Sequence, residues 1–194
     1  MTEPQTANTG FDNSEAAKSW SRDLRTITGL GLHVRPATPA DRVALNSLFD
    51  ALTPEDIYFR FFSPLRLLDK ARLDALTRID DPHTIDFLAF SAAQPDQLLA
   101  SAMLAADPDF RTAEVALAVR ADMKHRGISW TLLEFVSDFA RKQGIAKLCA
   151  VHSGEDSAAT ELEREAGFRV RRDPQDVTLW IAEKDLTPAR TRVA

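Results

Sequence analysis

The chain has a single cysteine, Cys149, which excludes an internal disulfide and a cysteine-rich metal site. That cysteine lies in the apolar run IAKLCAV and reads as a small core residue. Nowhere does the sequence approach the ~18 consecutive apolar residues of a membrane span. Positive charge is in deficit: 24 Lys and Arg stand against 29 Asp and Glu, a net charge of −5. This balance argues against a broad nucleic-acid-binding surface. The histidines, His33, His83, His125 and His152, are scattered, with no helical pair and no clustered acid, so no metal is expected. Internal repeats are lacking. The amino-terminal MTEPQTANTGFDNSEA is polar and has no basic-then-apolar order, so the expectation is a bacterial, cytoplasmic protein without a secretory signal.

What is present suits one domain of 194 residues with 44 % hydrophobic content. Residues 1–30 carry few apolar anchors and are expected to be a mobile extension. Trp20, Leu24 and Ile27 fall at near-helical spacing and suggest a short docking helix within it. The regular domain is expected over 31–185, with 186–194 as a tail. Leu32 and Val34 alternate with polar residues, as in a half-buried strand. Thr38 and Pro39 then mark a helix start, with Leu45, Leu48, Phe49 and Leu52 as its apolar face. TPEDIYFRFF and LLDKARLDALTRI read as two further helices. TIDFLAFSA and QLLASAMLAA read as a hairpin around AQPD, and TAEVALAV as the next strand. A helix to about Lys142 follows, closed by Gly144. AKLCAVH is a strand, EDSAATELEREAGF a helix ended by Gly167, and FRVRR and VTLWIAE two last strands. The order is strand, helices, three strands, helix, strand, helix, two strands, an α/β (α+β) pattern.

The stretch VRADMKHRGISW places Arg120, Lys124, His125 and Arg126 where a helix begins. The first N–H groups of a helix have no intrahelical acceptor and sit at the positive end of its dipole. An anion is favoured there. Gly127 allows close backbone approach, and Ser129 is small enough not to block the site. On the preceding strand, Glu114, Ala116 and Ala118 share one face. A carboxylate beside two small side chains suggests room for a ligand next to a base. The plainer alternatives are a solvated basic turn and a carboxylate on the wet side of a sheet. Trp130 lies off the apolar stripe of Ile128, Leu132, Phe135, Val136 and Phe139, so it is expected to contact something other than the core. Glu163 reads as one of a solvated set with Glu161, Arg164 and Glu165. His152, at a strand end, reads as a surface residue, with a place near a ligand as the alternative. Tyr58 to Pro64, YFRFFSP, reads mostly as core aromatics.

Lys124-His125-Arg126-Gly127-Ile128-Ser129 at a strand-to-helix junction resembles the coenzyme loop of the GNAT superfamily of N-acyltransferases. That signature is Gln or Arg, two residues, Gly, one residue, Gly or Ala; here Lys and Ser replace its first and last positions. LTPEDIYFRFFSP, AEVALAVR and KHRGISWTLLEFVSDFARKQGI resemble segments of Pat-like bacterial protein lysine acetyltransferases. The resemblance covers about Leu32 to Glu183. It implies a GNAT fold, a central mixed, mostly antiparallel twisted sheet of about six to seven strands flanked by helices, and transfer of an acetyl group from acetyl-CoA to an amine, a protein lysine first and a small-molecule amine second. Glu114 is the implied general base. Leu117, Ala118, Val119, Lys124, His125, Arg126, Gly127, Ile128, Ser129, Trp130 and Asp156 are the implied coenzyme contacts. The family's common Asn and acidic Tyr fall on Asp156 and Glu163, so no protein general acid is assigned. Those departures keep an acyl-CoA-binding regulatory module without turnover as the alternative.

Overall fold

The computed structural model describes residues 10–11, 15–16, 19–53, 56–57, 76–77, 81–153 and 157–186. Eight strands form one sheet: β1 (Arg22–Arg25), β2 (Gly31–Pro36), β3 (Thr84–Ser91), β4 (Leu98–Ala106), β5 (Thr112–Val119), β6 (Lys147–Ser153), β7 (Arg169–Arg172) and β8 (Leu179–Asp185). Their spatial order is β1-β2-β3-β4-β5-β6-β8-β7. All neighbours are antiparallel except β5 and β6. That one parallel pair requires a crossover, and α2 (Ile128–Lys142) supplies it. Helices α1 (Arg42–Asp50) and α3 (Ser157–Glu165) also flank the sheet. The strand beyond the expected six to seven is β1.

The period-2 alternation of β3 separates two cores. Ile85, Phe87 and Ala89 join Phe135, Val136 and Phe139 of α2, while Leu88 and Phe90 join Leu45, Leu48 and Phe49 of α1. Phe87 meets Phe139 edge-on with ring centroids 4.9 Å apart. The α1 entry follows the sequence: Thr38 precedes a short 3-10 turn from Pro39 to Asp41. The buried Asp41 carboxylate accepts hydrogen bonds from the Thr38 N–H and hydroxyl and from both terminal nitrogens of Arg35, the shortest 2.6 Å. Gly144 and Gly167 both take positive φ just past their helices, where a side chain would be strained.

Among the described residues near the amino terminus, several side chains pack into this architecture. Trp20 is buried, edge-on to Phe139 at 5.0 Å, and cations lie over it: the Arg22 guanidinium at 4.4 Å and the Lys142 ammonium at 5.0 Å. Phe11 is buried against Phe110 and Phe139. The Trp20 N–H donates to the Ala16 carbonyl, a helical turn. Leu24 and Ile27, by contrast, fall in strand β1 and its following turn. Phe11 and Trp20 are thus buried although the sequence around them is mostly polar.

Candidate active site

The site originates in a mismatch between β5 and β6. Their parallel register runs only from Thr112↔Lys147 to Glu114↔Cys149, although β5 continues to Val119 and β6 to Ser153. Beyond Glu114 the strands part, while β6 stays paired with β8 along its whole length. The β5 edge is left without a β6 ladder, and a cleft of about 620 Å³ opens there. An extended, amide-containing chain entering it can hydrogen-bond that edge as an added strand does.

At its outer end the cleft meets the amino terminus of α2. Gly127 caps the helix at φ 76° and His125 stands at φ 60°, two left-handed residues in four. Alternating hand around successive peptide units turns backbone N–H groups towards one point and makes an anion nest. The N–H groups of Ile128, Ser129 and Trp130 have no acceptor within the helix. The Gly127 carbonyl is already taken by the Thr131 N–H and hydroxyl. This donor set fits a diphosphate.

A wall that sequence reading missed stands against this loop. The turn between β1 and β2 rests on it: the Thr28 hydroxyl donates to the Arg126 carbonyl at 2.8 Å. Ile27 is 82 % exposed yet lines the cleft. A Cβ on Gly127 would lie 3.0 Å from Ile27 Cγ1. The glycine is therefore required twice, by its dihedral and by its neighbour. A large exposed aliphatic residue in a Thr-Ile-Thr-Gly turn was the available signal.

Where the two strands part stands Glu114, exposed and lining the cleft, opposite Cys149 in the register. Burial, then the Glu114 charge, push the Cys149 thiol up to about 11. It is a neutral thiol at pH 7, not a nucleophile. Leu117, Ala118, Val119, Lys124, His125, Gly127, Ile128, Ser129 and Trp130 all line the same cleft. Trp130 is half-buried and also packs against the edge of the main core. Other placements differ from expectation. Arg126 is exposed and is not among the lining residues. Lys124 is ion-paired with Asp56 at 2.7 Å, which holds its ammonium beside the loop. Ala118 is buried with Leu45 and Leu48 under α1, so the room comes from strand separation more than from small side chains. Asp156 and the stretch from Tyr58 to Pro64 lie outside the described residues.

Glu163 also departs from its solvated reading. It is 6 % exposed and its Oε2 lies 3.0 Å from Nε2 of the equally buried His152. Ala159, Leu162, Glu163 and Ala166 form the inward face of α3, a spacing of three, four and seven that was readable. Among the described residues no three His, Cys, Asp or Glu side chains group to hold a metal ion. No helix of the described residues is long and apolar enough to cross a membrane.

Known proteins share this fold. An acetyltransferase of Pseudomonas aeruginosa is 28 % identical over 154 residues, which is 78 % of this chain and 83 % of that protein. The GNAT domain of S. lividans PAT superposes with a TM-score of 0.79 at 24 % identity, covering 86 % of this chain and 97 % of that one. The spermidine N-acetyltransferase of Vibrio cholerae, solved with CoA and spermine, gives 0.65 at 17 % identity over 78 % of this chain and 92 % of its own. The sequence profile of the acetyltransferase (GNAT) family matches residues 45–168, and the chain belongs to that family.

Proposed function

We propose that the chain transfers an acetyl group from acetyl-CoA to the side-chain amine of a protein lysine, with Glu114 as general base. One observation carries this reading. A single cleft runs from an anion nest at the start of α2, along an unpaired strand edge, to a solvent-accessible carboxylate. The nest suits the diphosphate of the coenzyme and the strand edge suits the amides of its arm. Bound acetyl-CoA supplies an activated thioester; the rest is the work of this chain's residues.

A free lysine ammonium has a pKa of ~10.4, so roughly one in 10³ is neutral and nucleophilic at pH 7. Glu114 removes the proton as the nitrogen attacks, an effect typically worth ~10²–10⁴ in rate. Cys149 is not among the residues lining the cleft, and burial raises its thiol, both of which favour direct transfer over an acyl-cysteine route. The acidic residues Glu114, Glu161 and Glu165 line the cleft and favour a cationic acceptor. Glu114 is exposed, which suits an amine presented on another protein. The lysine assignment also draws on the likeness of three segments to Pat-like enzymes. A polyamine is the second reading, favoured by the same acidic lining and by the spermine bound in the V. cholerae relative.

Release of free thiol from acetyl-CoA, measured with lysine peptides, intact bacterial proteins and spermine as acceptors, tests this directly. Turnover with lysine supports the proposal, and turnover with spermine alone replaces its acceptor. Coenzyme binding without turnover on any acceptor would instead identify a regulatory module.

A further inference from the structure

The turn between β1 and β2 has no part in the chemistry above, yet it rests on the loop that forms the anion nest. The bond from the Thr28 hydroxyl to the Arg126 carbonyl joins residues 98 apart in sequence. The turn is also held within itself. The Thr26 N–H donates to the Leu30 carbonyl and the Gly29 N–H to the Thr26 carbonyl, both at 2.9 Å. The Leu30 N–H reaches Thr26 Oγ1 at 3.1 Å. Thr26 is buried, and Gly29 takes the φ of 89° that closes the turn. A frame fixed in this way pays little ordering entropy when a ligand arrives. What it holds out is Ile27, a large aliphatic side chain in solvent at the edge of the cleft.

The chemistry of the coenzyme identifies what covers it. Its diphosphate joins two unlike halves, the pantetheine arm and an adenosine that carries a 3′-phosphate. With the diphosphate in the nest and the arm along the β5 edge, the adenosine leaves the nest on the outer side. The α3 wall of the cleft presents the carboxylates of Glu161 and Glu165 and, among the described residues, no cation. Lys124 is engaged by Asp56. The turn offers the opposite character. Arg25, which is exposed, donates from one terminal nitrogen to the Gly29 carbonyl at 3.0 Å, which holds its guanidinium against the turn. Arg126 is exposed on the loop segment that Thr28 binds, outside the cleft that takes the arm. An aliphatic surface beside two guanidinium groups fits a purine that carries a phosphate, since guanidinium donors match phosphate oxygens in pairs.

We infer that this turn is the nucleotide half of the coenzyme site: Ile27 packs on a face of the adenine, and Arg25 and Arg126 take the 3′-phosphate. The inference rests on the acetyl-transfer reading of the same cleft. The nest and the strand edge meet only phosphate and arm, which carriers without a nucleotide also possess. The turn is therefore what selects coenzyme A over a phosphopantetheine arm borne by another molecule.

Kd values for three probes, measured on the full chain, test this: CoA, 3′-dephospho-CoA, and 4′-phosphopantetheine, which lacks the adenosine. The unsubstituted protein should prefer CoA to 3′-dephospho-CoA by about tenfold at low salt. Replacing both Arg25 and Arg126 with Gln should reduce that preference to within twofold. Ile27→Ala changes a side chain that is mostly in solvent, so the variant should fold. It should weaken CoA and 3′-dephospho-CoA alike, by about five- to tenfold, and leave 4′-phosphopantetheine within twofold. The last comparison separates contact with the nucleotide from support of the nest, because a disturbed nest weakens all three probes. Equal weakening of the three, or a CoA Kd within twofold of the parent, overturns the inference. So does a preference for CoA over 3′-dephospho-CoA that survives loss of both guanidinium groups. An unsubstituted protein that binds CoA no more tightly than 4′-phosphopantetheine overturns the inference and leaves the acetyl-transfer reading standing. One that binds neither probe removes that reading, and the inference with it.

Discussion

Replacing Gly127 with alanine separates a coenzyme-binding loop from an ordinary helix start. The residue stands at φ 76°, and the new Cβ would meet Ile27 Cγ1 at 3.0 Å and Thr26 Cβ at 3.4 Å. A non-glycine residue in the left-handed region costs about 1–2 kcal/mol. In a chain of this size that lowers Tm by about 2–8 °C. The contact with Ile27 adds a push that the loop relieves by shifting. Any shift misaligns N–H groups aimed at a dianion, and one hydrogen bond to a charged group is worth about 1.5–3 kcal/mol. Losing one weakens CoA binding about 10- to 100-fold. Gly144→Ala is the control. It has the same handedness, φ 87°, with nothing within 4 Å of its added Cβ, and it lies at the far end of α2. It should lower Tm and leave CoA affinity unchanged. Calorimetric titration with CoA reads both variants. A folded Gly127→Ala protein with a Kd within twofold of the parent would refute the nest.

Three further outcomes follow from other parts of the molecule. Ile27→Asp places a carboxylate on the cleft wall beside Gly127 and should weaken CoA binding by about tenfold at low salt, less at high salt; titration at two ionic strengths checks it. Cys149→Ser should keep activity within about threefold, and mass spectrometry of the parent under turnover should find no acyl-enzyme; accumulation of an acylated Cys149 would replace direct transfer. Burial raises the Asp41 carboxyl, but its bonds from Arg35 and Thr38 outweigh this and hold it below the ordinary carboxylate range. That stabilisation is present above pH ~4 and is lost as pH falls through the lowered value. Asp41→Asn should therefore cost about 2 kcal/mol at pH 7, less than a fully buried pair because Arg35 keeps contact with water. Urea unfolding should show the difference shrinking below pH 4.

Much of the fold could be read from local pattern. The alternation in β3 and β5, the Thr-Pro start before α1 and the glycines after α2 and α3 are short-range signals. The basic turn with Gly127 was legible because an anion site at a helix start needs few residues, all adjacent. What escaped reading depends on long-range packing. Phe11 and Trp20 lie in a polar stretch, and they bury only against residues far along the chain, Phe110 and the aromatics of α2. The inward spacing of Glu163 was readable, but its partner His152 belongs to a different element, and only the folded sheet brings the two together. The parting of β5 from β6 leaves no trace in either strand's composition, since both remain strands after they separate. The cleft is a property of register, and register between distant segments is set by the whole sheet.

The central claim is that this cleft transfers an acyl group to an amine whose proton is taken by Glu114. The pH dependence of kcat/KM for Glu114→Gln, measured beside the CoA Kd, tests it most directly. Glutamine keeps the shape of the side chain but cannot accept the proton, and the diphosphate is held elsewhere. CoA affinity should stay within twofold, and the rate at pH 7 should fall by about 10²-fold or more. As pH rises towards the amine's own pKa, part of the lost rate should return, because a larger share of the acceptor is already neutral. Activity within a few-fold of the parent at pH 7, with the chemical step shown to be rate-limiting, would contradict the account and remove Glu114 from the mechanism.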